Sequence, residues 1–98
     1  MNSIFIQEPG ECFLCKQEGK RIRHTVLHTH HIFGGSNRKK SEKYGLTVRL
    51  CPECHILGKH SVHLNSKTMT SLKETGQEAF EAVYPDLDFR TVFGKNYL

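Results

Sequence analysis

The chain has 98 residues, which is enough for one domain with a modest hydrophobic core and too few for two. With 37% apolar residues and no Trp, hydrophobic burial alone leaves such a core only marginally stable, so a structural metal would help. No apolar run is long enough to cross a membrane, and the N-terminus lacks the features of a secretory signal, so we expect a cytoplasmic protein.

The net charge of +4 is concentrated in the middle of the chain. Residues 16–49 contain nine Lys or Arg and two acids, whereas the remaining residues contain five bases and eight acids. Such a basic segment favours a partner with a phosphate backbone, although a solvated surface loop is the simpler alternative. We expect a basic loop here that binds DNA through Arg38, Lys39, Lys40 and Lys43.

The first half of the chain alternates strand and turn signals. Residues 4–6 predict an edge strand or an ordered N-terminal arm, and the Cys12 to Cys15 segment predicts a tight turn. Alternating β-branched and polar residues predict a strand over 21–32, which Gly34 and Gly35 end. After the basic loop, residues 46–50 predict a second strand, and Pro52 suits the first turn of a helix that Gly58 interrupts.

The last third of the chain predicts helices. A helix capped by Asn65 or Ser66 should end near Gly76, a second should cover residues 77–84, and a final turn should be capped by Asp86 or Asp88. We expect one domain over 1–98, in which residues 64–98 form a helical extension over a metal-bound core at 12–63. The acidic residues of this extension predict a poor surface for DNA.

Two Cys-x-x-Cys pairs carry all the cysteines of the chain: Cys12, Cys15, Cys51 and Cys54. Four thiolates in this pattern predict a tetrahedral structural zinc, which has no open coordination position and therefore closes the fold without doing chemistry. Two disulfides are the alternative, but they are disfavoured in a reducing compartment.

Histidines are abundant, with seven in the chain. Two of them, His30 and His31, lie between the cysteine pairs, and His55 directly follows the second pair. Neutral imidazole is a common metal ligand and the usual general base near neutral pH. Neighbouring residues of a regular strand point to opposite faces, so His30 and His31 share a site only if the strand ends or bulges there. Strict alternation would instead pair His28 with His30.

These motifs together resemble the HNH nuclease family: Cys-x-x-Cys, then His30-His-Ile, then Leu50-Cys-Pro-Glu-Cys-His55. The segments His30-His-Ile-Phe-Gly-Gly and Ser41-Glu-Lys-Tyr-Gly-Leu46 further resemble the small HNH proteins of bacteriophages and prophages. The resemblance implies an α+β fold with a ββα-metal (His-Me finger) core, inserted here between the two halves of the zinc site and covered by C-terminal helices.

The same resemblance implies a role for each histidine. His30 and His55 would bind a catalytic divalent metal, and His31 would take a proton from the attacking water. A further ligand would be His63 or His60; we favour His63, because Gly58 lets the chain turn back after the first helix. The implied activity is metal-dependent endonuclease cleavage of DNA, with Mg²⁺ or Mn²⁺ as the leading candidates and other first-row ions as alternatives.

One departure from the family pattern concerns its middle Asn, where this chain has Gly45 and Leu46. Either Asn37 takes that role or the role is absent. A noncatalytic zinc-dependent DNA-binding module is therefore the main alternative, and a purely structural or protein-interaction zinc domain is the third. Expected partners are DNA, a second copy of the chain or other phage DNA-processing proteins, and no membrane.

Overall fold

The computed structural model describes residues 3–98 and shows a small α+β fold. Two short strands form an antiparallel sheet, and helices precede, interrupt and follow it. A 3₁₀ turn precedes the second helix, and a π-helical turn follows the second strand. In chain order the elements are α1 (Phe13–Gln17), β1 (His28–His31), the 3₁₀ turn (Gly35–Asn37), α2 (Arg38–Tyr44), β2 (Thr47–Leu50), the π-helical turn (Glu53–Leu57), α3 (Ser66–Val83) and α4 (Phe89–Phe93).

The sheet is shorter than the sequence pattern predicted. Strand β1 begins only at His28, which pairs with Leu50, and it ends at His31, which pairs with Thr47. The strand predicted over 21–32 was therefore wrong in its first half. Because β2 offers only four residues for pairing, residues 21–27 have no strand beside them beyond an isolated bridge from Arg23, and most are exposed.

The basic run predicted as a loop is the helix α2, so that prediction was wrong. Ser41 and Tyr44 lie on its inner face; the Ser41 hydroxyl donates to the Phe33 carbonyl at 2.7 Å and accepts from the Phe33 amide at 3.0 Å. The charged residues are themselves good helix formers and cover the exposed face. Gly45, with a φ of 74°, ends the helix in the left-handed conformation.

The long helix α3 passes straight through Gly76, where the sequence predicted a stop. A Cβ atom at this position would lie 2.8 Å from Cγ2 of Ile32 and 3.1 Å from the ring of Phe33. The glycine therefore permits close packing of α3 against the residues that follow β1. Of the two predicted capping residues, Asn65 caps the helix: its Oδ1 accepts from the amides of Lys67 and Thr68 at 3.0 and 3.1 Å.

The C-terminal helices cover an aromatic core. Asp88 caps α4 through the amide of Thr91 at 3.1 Å, as one of the two sequence alternatives predicted. Phe89 and Phe93 of this helix stack at 4.7 Å between ring centroids, and both pack on Phe33 just after β1. These contacts fix α4 to the segment that follows β1. The largest fully buried hydrophobic side chains are those of Phe33, Phe80, Phe89, Ile32, Leu46, Leu50, Val48 and Val62.

Residues 4–6 belong to an N-terminal arm and form no strand. Gln7 covers the outer edge of β2: its Oε1 accepts from the Arg49 amide at 2.8 Å, and its Nε2 donates to the Arg49 carbonyl at 3.0 Å. One side chain thus replaces the backbone ladder of a third strand. Within residues 3–98, no helix is both long and apolar enough to span a bilayer.

Candidate metal centres and basic cavity

The four cysteines form one cluster, with their sulfur atoms within 4.8 Å of one another. Helix α1 contributes Cys15, whose Sγ lies 3.9 Å from that of Cys51 and 3.7 Å from that of Cys54. Tetrahedral zinc with bonds of about 2.3 Å requires sulfur separations of about 3.8 Å, so the cluster is compatible with structural zinc. All four cysteines are free, and the disulfide alternative is not what the structure shows.

Burial of the cysteine cluster opposes ionisation of its thiols when no cation is bound. It raises the pKa of the Cys15 thiol to about 12, and it also raises the pKa of Cys54, aided by the neighbouring Cys12. Burial also opposes ionisation of Cys12, but hydrogen bonds from the backbone amides of Cys51 and Cys15 outweigh it and lower the Cys12 pKa. A bound divalent cation would supply the positive charge that the remaining thiolates require.

A second cluster brings together His30, His55 and His63, each of which offers a ring nitrogen within 4.8 Å of the others. His30 lies on β1, and His55 lies on the π-helical turn directly after the second cysteine pair. Beyond Gly58 the chain turns back, so that the His63 amide contacts the His55 carbonyl at 3.4 Å and the two Nε2 atoms lie 3.1 Å apart. His60 is exposed and contacts Asn65 instead, at 3.4 Å.

The surroundings of His30 and His55 favour the neutral form of both rings. Burial lowers the pKa of His30 to about 4, with further repulsion from His55 and His63. Burial also lowers the pKa of His55, again with repulsion from neighbouring histidines. Neutral imidazole has the free lone pair that a metal ligand needs, so the lowered pKa values of His30 and His55 favour metal binding by these two rings.

His28 and His30 lie on the same side of β1, as strict alternation predicts. The Nδ1 of His28 contacts the Nδ1 of His55 at 3.0 Å, on the side of the ring away from His63. His28 is therefore a neighbour of the cluster rather than one of its three members. Because hydrogen bonds to the outer nitrogen orient metal-ligating histidines, His28 is placed to fix the ring of His55.

His31 sits at the last position of β1 and lines the same cavity as the histidine cluster. Its Nε2 lies 2.7 Å from Oε2 of Glu42 on α2. A carboxylate only accepts hydrogen bonds, so this contact places the proton of neutral His31 on Nε2 and leaves Nδ1 with a free lone pair. Ending the strand at this residue allows both His30 and His31 to face one cavity.

The cavity has a volume of about 520 Å³ and is lined by both polar and apolar groups. Among the residues described by the structure, no Asp or Glu lines it. Two cationic side chains do, Arg38 from the start of α2 and Lys73 from α3. A site with three candidate metal ligands, a candidate base and cationic walls is suited to an anionic ligand.

The other predicted DNA-binding residues lie on the exposed face of α2 outside the cavity. Lys40 donates to the Val92 carbonyl at 2.7 Å, and Lys43 lies 5.4 Å from the centre of the Tyr44 ring. Lys39 is exposed. The Asn37 side chain donates to the Phe93 carbonyl at 3.1 Å and does not line the cavity, so it anchors α4.

Comparisons of the chain with protein-family models, curated proteins and solved structures find no match.

Two residues of the cavity region were missed by the sequence argument. Glu42 is one of only two acids in the basic segment, and that isolation was a usable signal. Lys73 gave no comparable signal, because only the packing of α3 brings it near the histidines.

Proposed function

We propose that this protein is a metal-dependent DNA endonuclease with a ββα-metal core, in which the cysteine cluster holds a structural zinc and the histidine cluster holds the catalytic ion. The core would comprise β1, β2 and the π-helical turn, with α2 inserted between the strands. The resemblance of the motifs to the HNH family led to this hypothesis, and the geometry of the cavity supports it.

The observation that carries the proposal is the placement of His31 beside the cluster of His30, His55 and His63 in one cavity with cationic walls. A structural metal site would need no base beside it and no open space above it. Hydrolysis of a phosphodiester needs a base and open space for the substrate, together with positive charge that attracts the phosphate backbone.

In the proposed reaction, Nδ1 of His31 takes a proton from a water molecule, whose oxygen attacks the phosphorus atom. Glu42 holds the opposite ring nitrogen and stabilises the imidazolium that forms. A divalent ion on the histidine cluster supplies Lewis-acid stabilisation of the phosphate and of the leaving oxygen when bound. The bond from phosphorus to the 3′ oxygen breaks, and that oxygen takes a proton from solvent water, which leaves 5′-phosphate and 3′-hydroxyl ends.

The donor set constrains the catalytic ion. Mg²⁺ takes oxygen ligands, whereas imidazole suits first-row transition ions. Of the two leading candidates, Mn²⁺ therefore fits three histidines better than Mg²⁺, and Co²⁺, Ni²⁺ and Zn²⁺ fit at least as well. The cysteine cluster would hold its zinc separately, since four thiolates leave no open position.

The alternative function is a noncatalytic zinc-dependent DNA-binding module. It is favoured by one observation. Asn37 is the only candidate for the family's middle Asn, and its side chain is hydrogen-bonded to the Phe93 carbonyl rather than facing the cavity. This module would bind DNA in a salt-dependent manner and cut no strand with any divalent ion.

The experiment is incubation of supercoiled plasmid with zinc-loaded protein and with His31→Ala, each with Mg²⁺ or Mn²⁺ or without added metal. We expect the parent protein to relax or linearise the plasmid only with metal, and His31→Ala to leave it intact while retaining its zinc and its fold. Equal cleavage by both proteins would remove His31 from the mechanism. Intact plasmid throughout, with DNA binding retained, would establish the binding module.

A further inference from the structure

We propose that Lys73, on the C-terminal helix α3, binds a backbone phosphate of the nucleic acid in the histidine cavity. The inference deepens the proposed function and rests on it for the identity of the anion. It assigns part of the substrate site to a region whose composition predicted a poor DNA surface.

Lys73 lies where it can contact an anion bound in the cavity. Lys73 lines the cavity together with His30 and His31, although it lies more than 40 residues away from both in sequence. An anion bound to these histidines through a metal would therefore lie close to Lys73 as well.

The second argument is the lack of a counter-charge. Among residues 3–98, Lys73 forms no ion pair with a carboxylate. The positions three and four residues away on α3, where a partner would lie, are all uncharged: Met69, Thr70, Gly76 and Gln77. Since no carboxylate among the described residues lines the cavity either, the charge of Lys73 is available to an anionic ligand.

The third argument is that an aromatic ring supports the lysine. Nζ of Lys73 lies 5.4 Å from the centre of the Tyr97 ring, which in turn packs on Phe33 at 5.5 Å. Contact with a ring face restrains a flexible side chain and favours its charged form. The restraint lowers the conformational entropy that Lys73 would lose on binding phosphate.

Arg38 and Lys73 reach the cavity from different helices, α2 and α3. A phosphate held by both would be oriented relative to His31 from two directions, which a single flexible cation cannot achieve. The C-terminal extension therefore contributes to substrate binding as well as to packing.

The test compares Lys73→Gln and Lys73→Arg with Lys67→Gln in the zinc-loaded full chain. Lys67 lies in the first turn of the same helix, is exposed and does not line the cavity, so its replacement is a control for the loss of one charge. Binding of a short fluorescent DNA duplex is measured by anisotropy at several salt concentrations without a second metal. Plasmid cleavage is then measured with Mn²⁺.

We expect Lys73→Gln to reduce the slope of log affinity against log salt by about 1, because one phosphate contact is lost. Cleavage by this variant should fall at least about tenfold in kcat/KM, because the same contact stabilises charge at the reacting phosphate. Lys73→Arg should keep the parent slope and most of the activity, and Lys67→Gln should resemble the parent in both measurements.

The outcomes separate this inference from the proposed function. A parent protein that cuts DNA, with Lys73→Gln indistinguishable from it in slope and rate, would overturn the phosphate site alone. A parent that binds DNA but never cuts it, with the slope reduced in Lys73→Gln, would support the site and overturn the endonuclease. A parent that neither binds nor cuts DNA would overturn both.

Discussion

At the scale of single residues, the contact between His31 and Glu42 determines which nitrogen can act as a base. The 2.7 Å contact engages Nε2, so only Nδ1 has a lone pair free to accept a proton. The strand position of His31 restricts the ring further, because it is the last paired residue of β1. Orientation of the proposed base therefore depends on a residue contributed by α2, the helix inserted between the strands.

Replacing Glu42 with Ala should lower kcat for plasmid cleavage by about 10- to 100-fold, because the ring of His31 loses its fixed orientation and tautomer. Glu42→Gln should recover most of this loss, since the amide oxygen still accepts from Nε2–H. The rates are measured with Mn²⁺, and the tautomer of His31 is read from its ¹⁵N chemical shifts.

Glu78→Ala is the matched control, because Glu78 is an exposed acid on α3. It should leave both rate and chemical shifts unchanged. Parental activity in Glu42→Ala would show that His31 needs no partner. A Gln variant as impaired as the Ala variant would show that the negative charge, rather than the hydrogen bond, is what matters.

At the scale of elements, the helix α3 shows why local sequence preferences were insufficient. Glycine is a poor residue inside a helix, and that rule predicted an end at Gly76. The helix continues because Gly76 lies against Ile32 and Phe33, where any side chain would clash. Only the tertiary packing of α3 on the end of β1 reveals this requirement.

Gly76→Ala should therefore destabilise the zinc-loaded protein by about 1–3 kcal/mol, the usual cost of overpacking a core. In an exposed helix the same substitution would instead stabilise by up to about 1 kcal/mol. Urea unfolding of the two proteins gives the difference in the free energy of unfolding.

Gly34→Ala is the control for this substitution. Gly34 has a negative φ of −93°, and no atom lies within 4 Å of an added Cβ, so its replacement should be nearly neutral. An increase in stability on replacing Gly76 would contradict the close packing described for α3.

The helix α2 shows a second reason why the sequence pattern predicted the wrong element. Its charged residues alone predict a solvated segment, and their exposure in the structure agrees with that half of the prediction. The helix forms because Ser41 and Tyr44, one turn apart, meet the core. The charge pattern therefore predicted the exposed face of α2 correctly but gave no sign of the face that packs on the core.

At the scale of the whole molecule, the sequence predicted the α+β class and the cluster of four cysteines. Both follow from local rules, since Cys-x-x-Cys turns and short alternating strands have recognisable spacings. From the sequence, the further metal ligand could be His60 or His63, with His63 favoured, and the structure brings His63 to the cluster. The sequence did not predict that Arg38 and Lys73 line one cavity, because these residues come from two helices that only the tertiary fold brings together.

The two metal-ligand clusters are linked through a short stretch of backbone. Cys54 and His55 are adjacent in sequence, yet one belongs to the sulfur cluster and the other to the histidine cluster. The π-helical turn that carries them is held by a hydrogen bond from the His55 amide to the Cys51 carbonyl at 2.9 Å. Zinc bound by the first cluster would therefore also hold the turn that carries His55, and π-helical turns are frequent at functional sites.

In the proposed function, the histidine cluster binds the ion needed for DNA cleavage. This role is tested most directly by the cleavage rate as a function of Mn²⁺ concentration for the zinc-loaded parent, His63→Ala and His60→Ala. We predict that His63→Ala needs a far higher Mn²⁺ concentration or fails to cut, while His60→Ala matches the parent. Equal metal dependence of all three proteins, or no cleavage by the parent with any divalent ion, would contradict the account.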